Sequence, residues 1–214
     1  MHTRIAIMNF YFPWEESMLL GIQEHLRNDF LTPIMKFITM LGDKGIFWII
    51  VTLALLIIPA IMLKRSNGNS GRQKALRALF IAGIMCAIAF ILSALVNNLC
   101  LKHIVDRTRP YELINGLTLL VDRADDASFP SGHAAASFSV ATVLLFRLPK
   151  KFGVPAFVLA AIIAFSRLYV GIHFPTDVLV GTIDGIVIGC ISIIIGNKFA
   201  KFIKKKRFPA FIWY

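Results

Sequence analysis

Three short polar clusters hold the residues of this 214-residue chain that could do chemistry. In the stretch 166–177, SRLYVGIHFPTD, an arginine (Arg167), a histidine (His173) and an aspartate (Asp177) fall within twelve residues. A carboxylate bonded to one ring nitrogen of a histidine sets its tautomer and leaves the other nitrogen basic and directed. Taken alone, the pair reads equally as a capping aspartate beside an interfacial histidine. In the stretch 102–110, Lys102 and Arg109 stand seven residues apart, two helical turns, so a continued helix points them the same way. Pro110 biases Arg109 out of a helix and limits that continuation. Fixed cations of this kind suit a phosphate or another anion, or else a basic cluster touching lipid head groups. In 130–133, PSGH, Ser131 can cap the helix that follows and Gly132 lets a ligand approach the backbone. The unpaired first-turn N–H groups then form an anion site, where His133 could donate a proton. The alternative there is an ordinary capped helix start. No further carboxylates or histidines stand at ligand spacing around His173 and Asp177, so neither a metal nor a cofactor is expected.

The elements that must position these clusters are membrane helices. The composition, 57% hydrophobic and 16% charged, excludes an ordinary soluble domain. Apolar runs near the bilayer-spanning length of roughly 20 residues recur at 46–63, 75–99, 131–147, 153–170 and 177–197. All read as helices, because an isolated strand cannot satisfy its backbone in lipid. The expected fold is an all-α, polytopic membrane helix bundle of five spans, six if the N-terminal segment supplies another. Its third span opens with small residues (Ala134, Ala135, Ala136, Ser137, Ser139) that permit close helix contact.

Residues 1–45 show two faces at helical spacing: Met18, Leu19, Ile22 and Leu26, then Leu31, Ile34, Met35, Ile38 and Leu41. Glu15, Glu16, Glu24, Arg27, Asp29 and Lys36 interrupt them too often for a span, so short amphipathic helices at the interface are expected. The domain plan is then an interfacial segment 1–45, a membrane domain 46–197 and a basic tail 198–214. Cys86, Cys100 and Cys190 are expected as packing residues rather than bridges, and no removable signal peptide is expected at the N-terminus. Asp184 lies inside the fifth span, where a carboxylate is costly; it lines a pocket or water-filled cleft, or pairs with another helix.

Alternation of five spans puts the three clusters on one membrane face. The opposite face carries Lys64, Arg65, Arg72, Lys74, Arg77, Arg147, Lys150, Lys151 and the six cations of the tail, with no acidic residue among them. The positive-inside rule makes that face cytoplasmic and points the clusters outward. The net charge of +11 is thereby assigned to loops, and the expected partner is a bilayer rather than nucleic acid. Oligomeric state is not legible.

Lys102-x6-Arg109-Pro110, Pro130-Ser131-Gly132-His133 and Ser166-Arg167-x5-His173-x3-Asp177 resemble the three signature motifs of the type 2 phosphatidic acid phosphatase (PAP2) superfamily. That superfamily includes lipid phosphate phosphatases and the vanadium haloperoxidases. The resemblance implies an integral membrane phosphatase in which His173 attacks phosphorus and Asp177 orients it. His133 would protonate the leaving oxygen and later help activate water. Lys102, Arg109, Arg167, Ser131 and the Gly132 backbone would hold the phosphoryl oxygens without a metal. It implies a lipid phosphate or diphosphate substrate, with undecaprenyl diphosphate foremost and phosphatidylglycerophosphate or phosphatidate next. A haloperoxidase holding vanadate, or a non-catalytic lipid-phosphate carrier, are the competing possibilities. The membrane spans count against the first, and the two histidines with Asp177 against the second.

Overall fold

The computed structural model describes residues 10–66 and 70–205, and every regular element among them is helical. Two short helices, α1 (Pro13–His25) and α2 (Leu31–Leu41), precede a 3-10 turn (Asp43–Gly45) and α3 (Ile46–Lys64). The helix α4 (Ser70–Ala94) continues through a π turn (Leu95–Leu101) into α5 (Lys102–Val105), followed by the single turn α6 (Pro110–Leu113). Three helices follow among the described residues: α7 (Gly132–Arg147), α8 (Lys150–Tyr169) and α9 (Pro175–Lys205). Each of the five predicted spans is thus a helix. The last runs on through Lys205, so Lys198, Lys201, Lys204 and Lys205 extend α9, while Lys206 and Arg207 lie outside the described residues.

Among the described residues, four stretches are long and apolar enough to cross a membrane: Asp43–Lys64, Ser70–Leu113, Lys150–Tyr169 and Pro175–Phe202. The fifth predicted span, α7, has 16 residues. At about 1.5 Å per residue it falls short of a hydrocarbon core of roughly 30 Å. It can be short because it is the axis of the bundle rather than part of its lipid-facing wall. Ala134, Ala135, Ser137, Phe138, Ser139, Val140, Ala141, Thr142, Val143 and Leu144 are all buried.

The small residues of α7 meet a matching stripe on α9. Gly181, Gly185 and Gly189 recur every fourth residue, and a Cβ on each would come within 2.5, 2.5 and 2.7 Å of the carbonyl oxygens of Ser131, Ala135 and Ser139. Without side chains on that face, the two backbones pack directly, as small-residue stripes allow in lipid. This places the start of α7, with Ser131 and His133, beside the start of α9, with Asp177. The Ser131 N–H donates to the Asp177 carbonyl at 3.0 Å, tying the two helix starts together.

The N-terminal segment folds over this end of the bundle. On α1 the buried face is Glu15, Leu19 and Ile22, while Met18 and Leu26, expected on the apolar face, are about two-fifths exposed. The helix is rotated relative to the hydrophobic expectation because Glu15, fully buried, finds an arginine inside. On α2, Leu31, Met35, Ile38 and Leu41 pack against the core, and Ile34 is exposed. Arg27 fastens α1, donating from Nε to the Tyr169 carbonyl at 2.9 Å and from Nη1 to the Thr118 carbonyl at 2.8 Å.

Cys86 is buried in the core, as its packing role predicts, whereas Cys100 and Cys190 are exposed on the outside of the bundle; all three are free. Asp184 takes the helix-pairing option, accepting a hydrogen bond at 2.7 Å from Asn97 Nδ2 in the π turn that follows α4.

Candidate active site

A cavity of about 370 Å³ opens at the N-terminal end of α7. Six of the eight residues singled out from sequence line it: Lys102, Arg109, Gly132, His133, Arg167 and His173. The other two stand directly behind. Ser131 caps α7, its Oγ accepting from the Ala134 N–H at 3.5 Å, and Asp177 backs His173.

Lys102 and Arg109 converge by a route the helical spacing did not anticipate. The helix continues past Lys102 only to Val105, and Asp106 takes a left-handed conformation (φ 40°) that ends it. Arg109, held extended by the following proline, returns to the same place from a different direction. What joins them is Asp126: its carboxylate accepts from Lys102 Nζ and, at 2.6 Å, from Arg109 Nη2. Burial would raise the Asp126 carboxyl, but the hydrogen bonds and charges of Lys102 and Arg109 outweigh it and hold it at about 2. Arg109 also donates to the Ile172 carbonyl at 2.9 Å, which locks it against the turn that carries His173.

His173 sits in that turn between α8 and α9, essentially buried, with Nδ1 3.5 Å from Asp177 Oδ2 and 3.5 Å from Ser128 Oγ. The carboxylate itself is held by stronger bonds. It accepts from Ser128 Oγ at 2.5 Å, from the Phe174 N–H at 2.8 Å and from Arg107 Nη1 at 2.6 Å. With Nδ1 facing this group, Nε2 is the nitrogen presented to the cavity. Burial pushes the imidazole down to about 3, against the pull of Asp177 and helped by the positive charge of Arg109, so the ring is neutral. A neutral, oriented imidazole is a competent nucleophile.

On the other wall, His133 Nε2 lies 2.8 Å from Asp43 Oδ1. Arg167, at the end of α8, donates from Nη1 to Thr39 Oγ1 at 2.5 Å, while its buried Nε has no partner among the described residues. A buried donor left unpaired is costly, and an acceptor oxygen in the cavity would satisfy it. Three guanidinium or ammonium groups, the first turn of α7 and two imidazoles therefore surround one space. That set can bind a phosphoryl group, attack it and protonate what leaves. Among the described residues, no three His, Cys, Asp or Glu side chains group as a metal site.

Five contributors were not singled out from sequence: Glu15, Asp43, Arg107, Asp126 and Ser128. Arg107 links Asp177 to Glu15, donating to Glu15 Oε2 at 2.8 Å, while Glu15 Oε1 accepts from Thr176 Oγ1 at 2.6 Å. Arg107 also lies over the Phe174 ring, 4.0 Å from its centre. Its position inside the 102–110 cluster was a usable signal. Glu15 and Asp43 carried none, because only the tertiary fold brings α1 and the α2–α3 turn over the bundle.

Known proteins are similar to this chain over most of its length. The chain is 30% identical over 163 residues to an undecaprenyl-diphosphatase of Sulfolobus acidocaldarius, covering 76% of this chain and 69% of that one. It is 32% identical over 169 residues to undecaprenyl-diphosphatase BcrC of Bacillus subtilis, covering 79% and 76%. Its fold matches the crystal structure of Aquifex aeolicus LpxE with a TM-score of 0.69 at 24% identity, over 88% of this chain and 99% of that one. Residues 77–201, which hold all three clusters, match the family model of the PAP2 superfamily, and the chain belongs to that superfamily.

Proposed function

We propose that this PAP2 protein, an integral membrane hydrolase of phosphate esters, removes the terminal phosphate of undecaprenyl diphosphate through a phosphohistidine. The observation that carries the reading is the pair of histidines facing one cationic cavity, each backed by a carboxylate. His173 Nε2 attacks the terminal phosphorus; a P–N bond forms as the bond to the bridging oxygen breaks. His133 gives its proton to that oxygen, releasing the lipid monophosphate. Water then attacks the phosphohistidine, His133 takes the water's proton, and inorganic phosphate leaves with His173 restored. Lys102, Arg109, Arg167 and the first-turn N–H groups of α7 hold the phosphoryl oxygens as charge builds on them. Ser131 caps the helix that presents those N–H groups.

The choice of a prenyl diphosphate follows from the two relatives named above, both undecaprenyl-diphosphatases. The one-sided distribution of basic loops supports a site on the extracytoplasmic face and a cytoplasmic C-terminus. In this arrangement the described part of the segment 1–45 forms the outer, interfacial layer over a membrane domain of 46–197, residues 1–9 lying outside the described residues. A lipid keeps its tail in the bilayer while its head group reaches the end of α7.

The test is phosphate release by the purified protein, with EDTA present. Its substrates are undecaprenyl diphosphate, phosphatidylglycerophosphate, phosphatidate and glucose 6-phosphate. The expected order puts the prenyl diphosphate first and the sugar phosphate last. Faster turnover of a phospholipid monoester would reassign the substrate, and no release from any lipid would remove the reading altogether.

A further inference from the structure

We infer that the Gly42–Asp43 turn positions the acid–base histidine, its Asp43 carboxylate engaging His133 through Nε2 so that Nδ1 faces the phosphoryl site. The inference rests on the acid–base role assigned to His133 above. Two independent contacts carry it. Asp43 Oδ1 lies 2.8 Å from His133 Nε2. A Cβ on Gly42 would fall 2.5 Å from Cδ2 and 3.3 Å from Cγ of the same ring, so the turn's backbone lies directly against the imidazole.

The turn is shaped for this. Lys44 (φ 51°) and Gly45 (φ 67°) are both left-handed, which breaks the helical backbone between α2 and α3 and leaves Asp43 beside the start of α7. A non-glycine residue in that region is strained and persists where surrounding structure demands it.

The two histidines are thereby held through opposite ring nitrogens. His173 turns Nδ1 to its carboxylate and presents Nε2; His133 turns Nε2 to its carboxylate and presents Nδ1. A carboxylate accepting from Nε2–H favours the tautomer and the imidazolium that an acid step requires. Once Nδ1 has given its proton to the leaving oxygen, the Nε2–H bond to Asp43 leaves Nδ1 free to take the attacking water's proton. The other charged groups lining the cavity with His133 are Arg167, whose Nη1 is 4.0 Å from the same Asp43 oxygen, Lys102, Lys44, Arg109 and Asp126. Asp126 is taken up by Lys102 and Arg109, and Asp43 is the carboxylate in contact with His133.

The measurement is a double-mutant cycle on the purified full-length protein, with radiolabelled prenyl diphosphate and an alkyl phosphate as substrates. Asp43→Asn should lower kcat roughly ten- to hundredfold with little change in KM, part of the roughly 10²–10⁴-fold that a general acid supplies. The loss should be larger on the alkyl phosphate, whose leaving oxygen needs the proton more. Asp43→Glu should recover part of the activity, and serves if Asp43→Asn folds poorly. In a His133→Ala background, Asp43→Asn should have no further effect. Losses that multiply in that background, or that fall on KM alone, overturn the inference while leaving the phosphatase reading intact. A wild type that releases phosphate from neither substrate defeats both.

Discussion

His173 and His133 face one cavity but serve different bonds, and their variants should separate on that basis. If His173 forms the P–N bond, His173→Ala abolishes turnover whatever the leaving group. His133→Ala should cost roughly 10²–10⁴-fold on an alkyl phosphate and far less on p-nitrophenyl phosphate, because nitrophenolate leaves without a proton. The ratio of the two rates in each variant is the measurement; selective rescue of His173→Ala would reverse the roles. The buried position of His173 also sets a pH dependence. Its folded value of about 3 lies below the ordinary 6.5. Between those values the unfolded chain binds more protons, so stability rises with pH and is lost as pH falls from about 6.5 toward about 3. Replacing His173 with Asn should flatten that slope in detergent melts. An acid limb in kcat/KM near 6.5 that vanishes in Asp177→Asn would contradict a nucleophile kept neutral by burial.

At the scale of elements, the site depends on two junctions. The first is the α7–α9 contact, where three glycines of α9 lie on carbonyls of α7. A Cβ at Gly185 would come 2.5 Å from the Ala135 carbonyl and 2.9 Å from the Phe138 Cβ. Gly185→Val should therefore push apart the helices that carry His133 and Asp177, destabilise by about 1–3 kcal/mol and lower kcat. Gly21 on α1 has open space where a Cβ would go, so Gly21→Ala is the control and should be neutral or mildly stabilising. The second junction is the Glu15–Arg107–Asp177 chain, which fastens α1 to the start of α9. Arg107→Met leaves two buried carboxylates facing each other without their cation. Breaking a buried pair from one side costs about 3–5 kcal/mol. The melt should show that loss, and Glu15→Gln, which removes one of the two charges, should show a smaller one.

For the whole molecule, the question is which side of the membrane holds the cavity. Fourteen of the 23 lysines and arginines fall in the segments that the sequence assigns to the opposite face. Single cysteines placed at 111–129, in a background without the three native ones, should react with impermeant reagents from outside intact cells. Those placed at 66–71 should not. The reverse pattern would put the chemistry in the cytoplasm. Because Lys102, Arg109 and Arg167 supply the positive charge, activity should also survive EDTA, and vanadate should inhibit by mimicking pentacoordinate phosphorus. Strict dependence on added Mg²⁺ would contradict this mechanism.

Much of this molecule is written locally. Bilayer length and helix periodicity depend only on near neighbours in sequence, so the five main helices and the Ser131 cap were legible from the chain alone. The clustering of Lys102, Arg109, His133, Arg167 and His173 was legible too, since alternating spans force their segments to one end of the bundle. Other features depended on contacts between segments far apart in the chain. The rotation of α1 was decided by Arg107, because a buried Glu15 needs a cation more than Met18 needs apolar cover. Lys102 and Arg109 met through Asp126 rather than along one helix, since Asp106 and Pro110 break the backbone between them. Asp43 acquired its place beside His133 from a left-handed turn and a glycine contact, neither of which leaves a periodic trace in sequence. Periodicity reports which face of an element is apolar. Which polar groups are worth burying is settled only when their partners arrive, and here those partners lie some 70 to 160 residues away.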